Sequence, residues 1–264
     1  MPQMIKLAVF DLDGTLLNQH KQLSPRTKRI VNQLLDQRCL LAVATSRPPW
    51  LVAPIDPIFR RFSIMIYYNG GKIVDQRKQE EINTYLDRVS VKQFLLTCQQ
   101  RLPLQVVVIE SKQGTYATMD IPDEYKEGLF ITEGAYPIIN DLEGVDCYKL
   151  LLPTSRKCDL QELQEPFRHV FDFTYTQSGM LLEVIPKGIN KGDAIMKVIA
   201  EEGISPSDVI VFGDDYNDVE MLSMFDCSYA MENGIEEAKE AATYMAGHHA
   251  EDGVAKVLER LGAK

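Results

Sequence analysis

The chain has 264 residues, of which 45% are hydrophobic, and a formal net charge of −10 at pH 7. This length allows one large domain or two modest ones, and the hydrophobic content is ample for a packed core. No apolar run approaches the roughly 18 residues that a membrane-spanning helix needs. The acidic balance disfavours binding to nucleic acid phosphates. We therefore expect a globular chain whose partner is neither a membrane nor a nucleic acid.

The amino terminus favours a cytoplasmic location, and the cysteines favour free thiols. The segment Met1–Lys6 leads straight into the first predicted strand and lacks the basic and apolar regions of a signal peptide. The cysteines are odd in number, far apart and without a Cys-x-x-Cys pair, which argues against a disulfide framework and a zinc site. We expect free, buried thiols at Cys39, Cys98, Cys147, Cys158 and Cys227.

The first part of the chain alternates predicted strands and helices. A short apolar run that ends at Phe10 predicts a buried strand, and Ser24 before Pro25 predicts a capped helix start. Prolines interrupt the next helical segment, so we expect a break there. The further elements, in chain order, are a strand at 39–44, an irregular helix from Pro48, a strand at 64–68 and a turn at 69–71.

The pattern changes between residues 82 and 184, where strand-like runs dominate and only two clear helical patterns occur. This mixture is typical of an α+β module. Afterwards the alternation returns, with a helix predicted at 191–202 and a strand at 209–212. We predict a discontinuous α/β core from residues 1–81 and 185–264, with 82–184 inserted as an α+β cap domain. The strand-like runs of the insertion are 106–109, 115–118, 148–152, 171–176 and 180–185.

Two acidic residues follow the first predicted strand. Asp11 and Asp13 are spaced i and i+2, so on an extended backbone their side chains point in roughly the same direction. Open α/β sheets bind ligands at the carboxyl ends of their strands. We therefore predict that both acids address one substrate at this edge of the sheet, in two different roles.

Five short motifs resemble, in order and spacing, the signature of the haloacid dehalogenase superfamily. The spacing is similar to that of its Cof-type branch, in which a class IIB cap is inserted between the family's second and third motifs, where the predicted α+β segment 82–184 lies. The resemblance implies a Rossmann-like three-layer α/β/α core with a mostly parallel sheet. Most such proteins are magnesium-dependent phosphatases, so it also implies that activity. The motifs are Asp-Leu-Asp-Gly-Thr from Asp11, Thr-Ser-Arg-Pro from Thr45, Asn-Gly-Gly from Asn69, Asn-Lys-Gly from Asn190 and Gly-Asp-Asp-Tyr-Asn-Asp from Gly213.

The resemblance also implies roles for single residues. Asp11 is expected to attack phosphorus, and Asp13 to act first as a general acid and then as a base. Mg²⁺ is expected to be held by Asp11, the Asp13 backbone carbonyl and Asp214. Asp218 is expected to support the metal's water shell or to orient Lys191. The residues expected to bind the phosphoryl group are Leu12, Thr45, Lys191 and Asn217.

Each motif also has a structural interpretation when it stands alone. Asp-x-Asp-Gly-Thr is a common turn sequence, threonine at a strand end often caps a turn, and lysine at a helix start is often solvated. Their joint occurrence in the family's order favours catalysis. Ser46 departs from the pattern, because many relatives carry glycine there, and a positive φ at this position would strain a serine. We expect little loss of activity.

The predicted function is hydrolysis of a small phosphorylated metabolite, such as a sugar phosphate, through an aspartyl phosphate. One alternative is a phosphomutase of the same superfamily, although the insertion shows no tight arginine cluster. Another is a non-catalytic sensor of a phosphorylated ligand, against which the intact acidic motifs argue. A dehalogenase is disfavoured because it needs neither a metal nor a second acid. The oligomeric state is not predicted. The cations of the insertion include Arg88, Lys92, Lys149 and Arg156.

Overall fold

The computed structural model describes residues 5–102, 105–126, 129, 131, 135–154, 160–176 and 180–262. Arg156 and Cys158 lie outside these residues. The chain divides into two compact units. The core unit comprises Met1–Ile82 and Asn190–Lys264, and the inserted unit comprises Asn83–Ile189. The free thiols among the described residues are buried at Cys39, Cys98 and Cys147 and half-buried at Cys227.

The bounds of the strands and helices follow in chain order. The strands are β1 (Leu7–Phe10), β2 (Leu40–Ala44), β3 (Ile64–Tyr67), β4 (Lys72–Asp75), β5 (Glu80–Asn83), β6 (Val108–Ser111), β7 (Thr115–Ala117), β8 (Cys147–Pro153), β9 (Phe171–Thr176), β10 (Leu181–Pro186), β11 (Val209–Gly213), β12 (Cys227–Met231) and β13 (Tyr244–Ala246). The helices are α1 (Pro25–Asp36), α2 (Pro49–Val52), α3 (Arg88–Arg101), α4 (Asp123–Lys126), α5 (Gln161–Gln164), α6 (Lys191–Glu202), α7 (Val219–Met224), α8 (Glu236–Ala241) and α9 (Gly253–Leu261). Within the described part of the chain, every helix is too short or too polar to cross a lipid bilayer.

A sheet of eight strands forms the middle of the core unit, in the order β13-β12-β11-β1-β2-β3-β4-β5. The strand β1 pairs in parallel with both β2 and β11. The pairs β2–β3, β11–β12 and β12–β13 are also parallel, whereas β4 runs antiparallel to β3. Because the chain moves away from β1 in both directions, the sheet has a topological switch point between β1 and β11. Open α/β sheets bind their ligands at such points.

Helices cover both faces of this sheet. On one face, Leu7 and Val9 of β1 belong to a buried cluster with Ile195 of α6 and with side chains of α7. On the other face, the rings of Phe10 and Phe212 stack with centroids 5.6 Å apart. The helices α1 and α9, whose buried side chains are not part of the first cluster, pack against each other. Strands buried on both faces read as continuous apolar runs, which is what β1, β2 and β11 show.

The inserted unit has its own antiparallel sheet, in the order β7-β6-β8-β10-β9. Val91 and Phe94 of α3 are buried in one cluster with Leu150 of β8 and Leu182 of β10, so this helix covers one face of the sheet. The predicted fold class is confirmed: a Rossmann-like three-layer α/β/α core with a mostly parallel sheet, and an inserted α+β domain.

The sequence pattern does not predict β4 and β5, which extend the core sheet beyond β3. The chain turns back after β3 because Tyr68, Asn69 and Gly70 all have positive φ, at 53°, 56° and 109°. Ile64 of β3 is thereby placed opposite Asp75 of β4. Asn69 and Gly70 are residue types that favour this conformation and predict the turn, whereas Tyr68 gives no such signal, and a turn alone does not show that a strand pairs with β3 after it.

A lysine is buried between two glutamates in the sheet of the inserted unit. Lys149 of β8 is 3% exposed, and its Nζ lies 3.0 Å from Glu183 Oε1 of β10 and 3.4 Å from Glu110 Oε2 of β6. Burial lowers the pKa of Lys149, but the charges of both glutamates outweigh burial and raise it. Burial raises the pKa of Glu110 to about 7, with Lys149 opposing and Glu183 adding to the shift. Near neutral pH, Glu110 is therefore only partly ionised, whereas Lys149 keeps its charge.

We expect Glu110 to make the protein less stable as the pH rises. The ordinary pKa of this side chain is 4.5 and its pKa in the folded chain is about 7. Between these values the folded state binds more protons than the unfolded state, so the free energy of unfolding falls with increasing pH. In Glu110→Gln this contribution is absent. The difference in unfolding free energy between wild type and variant should therefore change by about 1–3 kcal/mol across this window.

Urea unfolding of both proteins at pH 4.5 and pH 7 measures this change. Glu143→Gln, which alters an exposed glutamate of the same unit, is the matched control and should follow the wild type at both pH values. A Glu110→Gln variant with the pH dependence of the wild type would contradict the assignment.

Candidate active site

The predicted site residues meet at the carboxyl ends of neighbouring strands of the core sheet. Asp11 and Asp13 follow β1, Thr45 follows β2 and Asp214 follows β11. Lys191 is the first residue of α6, the helix that packs on β1. These positions lie around the switch point between β1 and β11, so residues about 200 positions apart in the sequence come together.

Lys191 is the centre of a buried hydrogen-bond network. Its side chain is 0% exposed, and Nζ donates to Asp11 Oδ1 at 2.7 Å and to Asp218 Oδ1 at 2.6 Å. Asp218 Oδ2 accepts the backbone N–H groups of Asp214 and Asp215 at 2.9 and 3.2 Å. Burial lowers the pKa of Lys191, but the charges of Asp11 and Asp218 outweigh burial and raise it. Lys191 is therefore a fixed ammonium group, held by Asp218 beside Asp11.

Three carboxylates lie close enough together to hold one metal ion. One oxygen atom from each of Asp11, Asp214 and Asp218 lies within 4.8 Å of the others. Burial raises the pKa of Asp11 to about 7, with Lys191 opposing and the Asp218 charge adding to the shift. Burial, and then the charges of Asp11 and Asp218, raise the pKa of Asp214. A divalent cation would relieve this repulsion, and clustered carboxylate oxygens suit a hard cation.

The turn after β1 packs closely against Asp214. Gly14 has a φ of 81°, and a Cβ atom on it would lie 2.2 Å from Asp214 Oδ2, so glycine is required. Thr15 Oγ1 donates to Asp214 Oδ1 at 2.6 Å, and Asn233 Nδ2 donates to the Gly14 carbonyl at 2.8 Å. The contacts of Thr15 and Asn233 were not predicted. Thr15 is part of the first motif, so the sequence indicated that it belongs to the site. Asn233 is in none of the motifs.

The carboxylate of Asp13 lies between two cations. It accepts hydrogen bonds from Arg47 Nε at 2.5 Å, from Arg47 Nη2 at 2.7 Å and from Lys21 Nζ at 2.7 Å. Burial raises the pKa of Asp13, but the hydrogen bonds and charges of Arg47 and Lys21 outweigh burial and lower it. Asp13 is therefore ionised at neutral pH in this arrangement. The metal contact expected of its backbone carbonyl stays a prediction.

Asn69 links two of the residues expected to bind phosphate. The Asn69 backbone N–H donates to the Thr45 carbonyl at 3.0 Å, and Asn69 Oδ1 accepts from Asn217 Nδ2 at 2.9 Å. Asn69 thus does more than form its turn. Leu12, which lies between Asp11 and Asp13 in the sequence, is fully buried. Ser46 is not among the described residues with positive φ, so its side chain brings no backbone strain.

Comparisons with known proteins agree with this fold. A family model described as haloacid dehalogenase-like hydrolase matches residues 8–258. The 5-amino-6-(5-phospho-D-ribitylamino)uracil phosphatase YwtE of Bacillus subtilis (strain 168) is 28% identical, over 97% of this chain and 98% of its own length. The structure of SMU.1108c from Streptococcus mutans UA159 has a TM-score of 0.88 at 23% identity, covering 98% of this chain and all of that one. The HAD subclass IIB sugar phosphatase BT4131 has a TM-score of 0.85 at 20% identity, with coverage of 98% and 100%.

Proposed function

Because this chain belongs to the haloacid dehalogenase-like hydrolases, we propose that it is a Mg²⁺-dependent phosphatase that hydrolyses a small phosphorylated metabolite through an aspartyl phosphate on Asp11. The family and the phosphoric monoester hydrolase class, both predicted from the motifs, are confirmed. The observation that carries the mechanism is the hydrogen bond from Lys191 to Asp11 within a group of buried and half-buried carboxylates. The named substrate of YwtE, which is phosphorylated on a ribityl chain, supports a small phosphorylated substrate here.

Asp11 is the proposed nucleophile. Phosphoryl transfer needs an in-line nucleophile and positive charge around the transferred group. Lys191 fixes one oxygen of the Asp11 carboxylate and places an ammonium charge beside it. Asp11 forms a bond to phosphorus while the bond to the leaving oxygen breaks. Water then attacks phosphorus, which releases inorganic phosphate and restores the carboxylate.

Asp11 and Asp214, with the Asp13 backbone carbonyl, are the proposed ligands of Mg²⁺. The donor set supports this assignment, since the clustered side-chain atoms are hard oxygens and two of these carboxylates have raised pKa values. When bound, Mg²⁺ screens the repulsion between carboxylate and phosphate. The proposed role of Asp218 is to hold Lys191. One of its oxygens accepts a hydrogen bond from the Lys191 ammonium group, and the other accepts hydrogen bonds from two backbone N–H groups.

Asp13 is the proposed general acid for the leaving oxygen and then the base for the attacking water. Arg47 and Lys21 keep it ionised in this structure, which suits the second step. To protonate the leaving oxygen, Asp13 must first take up a proton, so its contacts with these cations must weaken when substrate binds. The proposed ligands of the phosphoryl oxygens are Leu12, Thr45, Lys191 and Asn217.

Two of the cations considered for a phosphomutase have other partners in this structure. Lys149 is buried between two glutamates, and Arg88 forms an ion pair with Asp146 at 2.5 Å. Neither observation favours a mutase, so water is the proposed acceptor of the phosphoryl group. The cytoplasmic location stays a prediction.

Asp11→Asn is expected to abolish turnover while the protein stays folded. The substitution keeps the shape of the side chain but removes the nucleophilic carboxylate, so kcat should fall by at least about 10³. Release of p-nitrophenol from p-nitrophenyl phosphate, with and without Mg²⁺, measures activity, and thermal unfolding checks the fold. Asp36→Asn, at an exposed carboxylate that ends α1, is the matched control and should keep full activity. Substantial Mg²⁺-dependent activity in Asp11→Asn would defeat the proposal.

Asp13→Asn is expected to slow the hydrolysis of poor leaving groups most. A general acid contributes about 10²- to 10⁴-fold where the leaving oxygen needs a proton, and much less for p-nitrophenolate. We expect kcat/KM to fall far more for an alkyl phosphate such as glycerol 3-phosphate than for p-nitrophenyl phosphate. Equal losses for both substrates would remove Asp13 from the role of acid.

A further inference from the structure

Lys21 lies outside every motif of the sequence, yet it contacts a proposed catalytic group. It belongs to the loop between β1 and α1, and its Nζ lies 2.7 Å from Asp13 Oδ1. Arg47 contacts the same carboxylate through two nitrogen atoms. The two cations differ in their access to solvent, since the side chain of Lys21 is 53% exposed and that of Arg47 is 6% exposed. Lys21 is therefore the cation that an incoming molecule can reach.

The loop is folded so that Lys21 points its ammonium group at Asp13. Asn18 Oδ1 accepts the backbone N–H groups of His20 and Gln22 at 2.9 and 3.1 Å, and the Asn18 carbonyl accepts that of Lys21 at 2.9 Å. Lys21 itself has a φ of 56°. Residues other than glycine, asparagine and aspartate rarely adopt this conformation, and strain of this kind is concentrated at functional sites.

The position of Lys21 relates it to the leaving half of the substrate. A phosphate ester that presents phosphorus to Asp11 presents its leaving oxygen to Asp13, so the atoms beyond that oxygen extend towards the partners of Asp13. Asp13 offers one negative charge to two cations. Arg47 contacts the Asp13 carboxylate through two nitrogens. Lys21 can therefore bind a second anion while Asp13 keeps Arg47 as its partner.

We propose that Lys21 binds a second anionic group, a carboxylate or a phosphate, on the alcohol part of the substrate. The enzyme then prefers phosphate esters whose alcohol part carries a further anionic group. This inference rests on the proposed function, because it assigns the leaving group to the neighbourhood of Asp13. Lys21 is a specificity-determining residue in this scheme. A charge-assisted contact at a half-exposed site corresponds to a preference of about 5- to 20-fold.

Two pairs of substrates test the proposal. Glycerol 3-phosphate and 3-phosphoglycerate share a carbon skeleton and differ by a carboxylate in place of a hydroxymethyl group. Glucose 6-phosphate and glucose 1,6-bisphosphate test a phosphate in the same role. In the presence of Mg²⁺, each compound is tested as a substrate and as a competitive inhibitor of p-nitrophenyl phosphate hydrolysis. The inhibition constant allows binding to be compared even for a compound that is hydrolysed slowly.

The proteins compared are the wild type, Lys21→Met, Lys21→Arg and Lys28→Met. Lys28 is a lysine of α1, with a side chain 45% exposed and paired with Asp56, so its substitution removes the same charge elsewhere. We expect the wild type to favour the anionic member of at least one pair by about 5- to 20-fold in kcat/KM or in Ki. Lys21→Met should bring this ratio close to 1, while Lys21→Arg and Lys28→Met should keep it. The pair with the larger change identifies the anion.

A wild-type ratio near 1 in both pairs would overturn the proposal. So would an unchanged ratio in Lys21→Met, including the case in which both members of a pair lose activity equally, because Lys21 would then act through Asp13 alone. Thermal unfolding of each variant shows whether it is folded, and the wild-type ratio in the two pairs still tests the proposal if Lys21→Met is not. Failure of the proposed function is distinguishable, since it is the absence of Mg²⁺-dependent p-nitrophenyl phosphate hydrolysis by the wild type.

Discussion

The hydrogen-bonded ion pair of Lys191 and Asp11 is the interaction on which the rest of the site depends. Burial disfavours the ionised form of each nearby carboxylate, and the charges of the acids on one another disfavour it further. One ammonium group offsets this repulsion only in part, since it serves Asp11 and Asp218 together. The remaining negative charge explains why the site suits a divalent cation and then the phosphoryl group that such a cation would help to bind.

The fold brings these groups together through the order of its strands. The strand β1 lies between β2 and β11, so the residues that follow each strand meet at one edge. Gly14 then allows the turn after β1 to approach Asp214. The helix α6 packs on β1 through its apolar side chains and presents Lys191 at its first turn. The burial that stabilises the core unit thereby also fixes the distance between the ammonium group and Asp11, the proposed nucleophile.

Much of this arrangement can be predicted from the sequence, where periodicity and motifs carry the information. The predicted bounds of the helix 191–202 and of the strand 171–176 agree with α6 and β9. The turn at 69–71 was predicted, but the hairpin of β3 and β4 was not, because the positive φ of Tyr68 leaves no signal in residue type. The two cations on Asp13 were missed because their contacts depend on how separate loops fold in space.

Trapping of the covalent intermediate tests the role of Asp11 most directly. The protein is quenched in acid during Mg²⁺-dependent turnover, any acyl phosphate is reduced with borohydride, and the peptide that contains residue 11 is analysed by mass spectrometry. An aspartyl phosphate at Asp11 predicts homoserine at this position, in amounts that depend on both substrate and Mg²⁺. Rapid turnover with an unmodified Asp11, or with the phosphoryl group on another side chain, would contradict the mechanism.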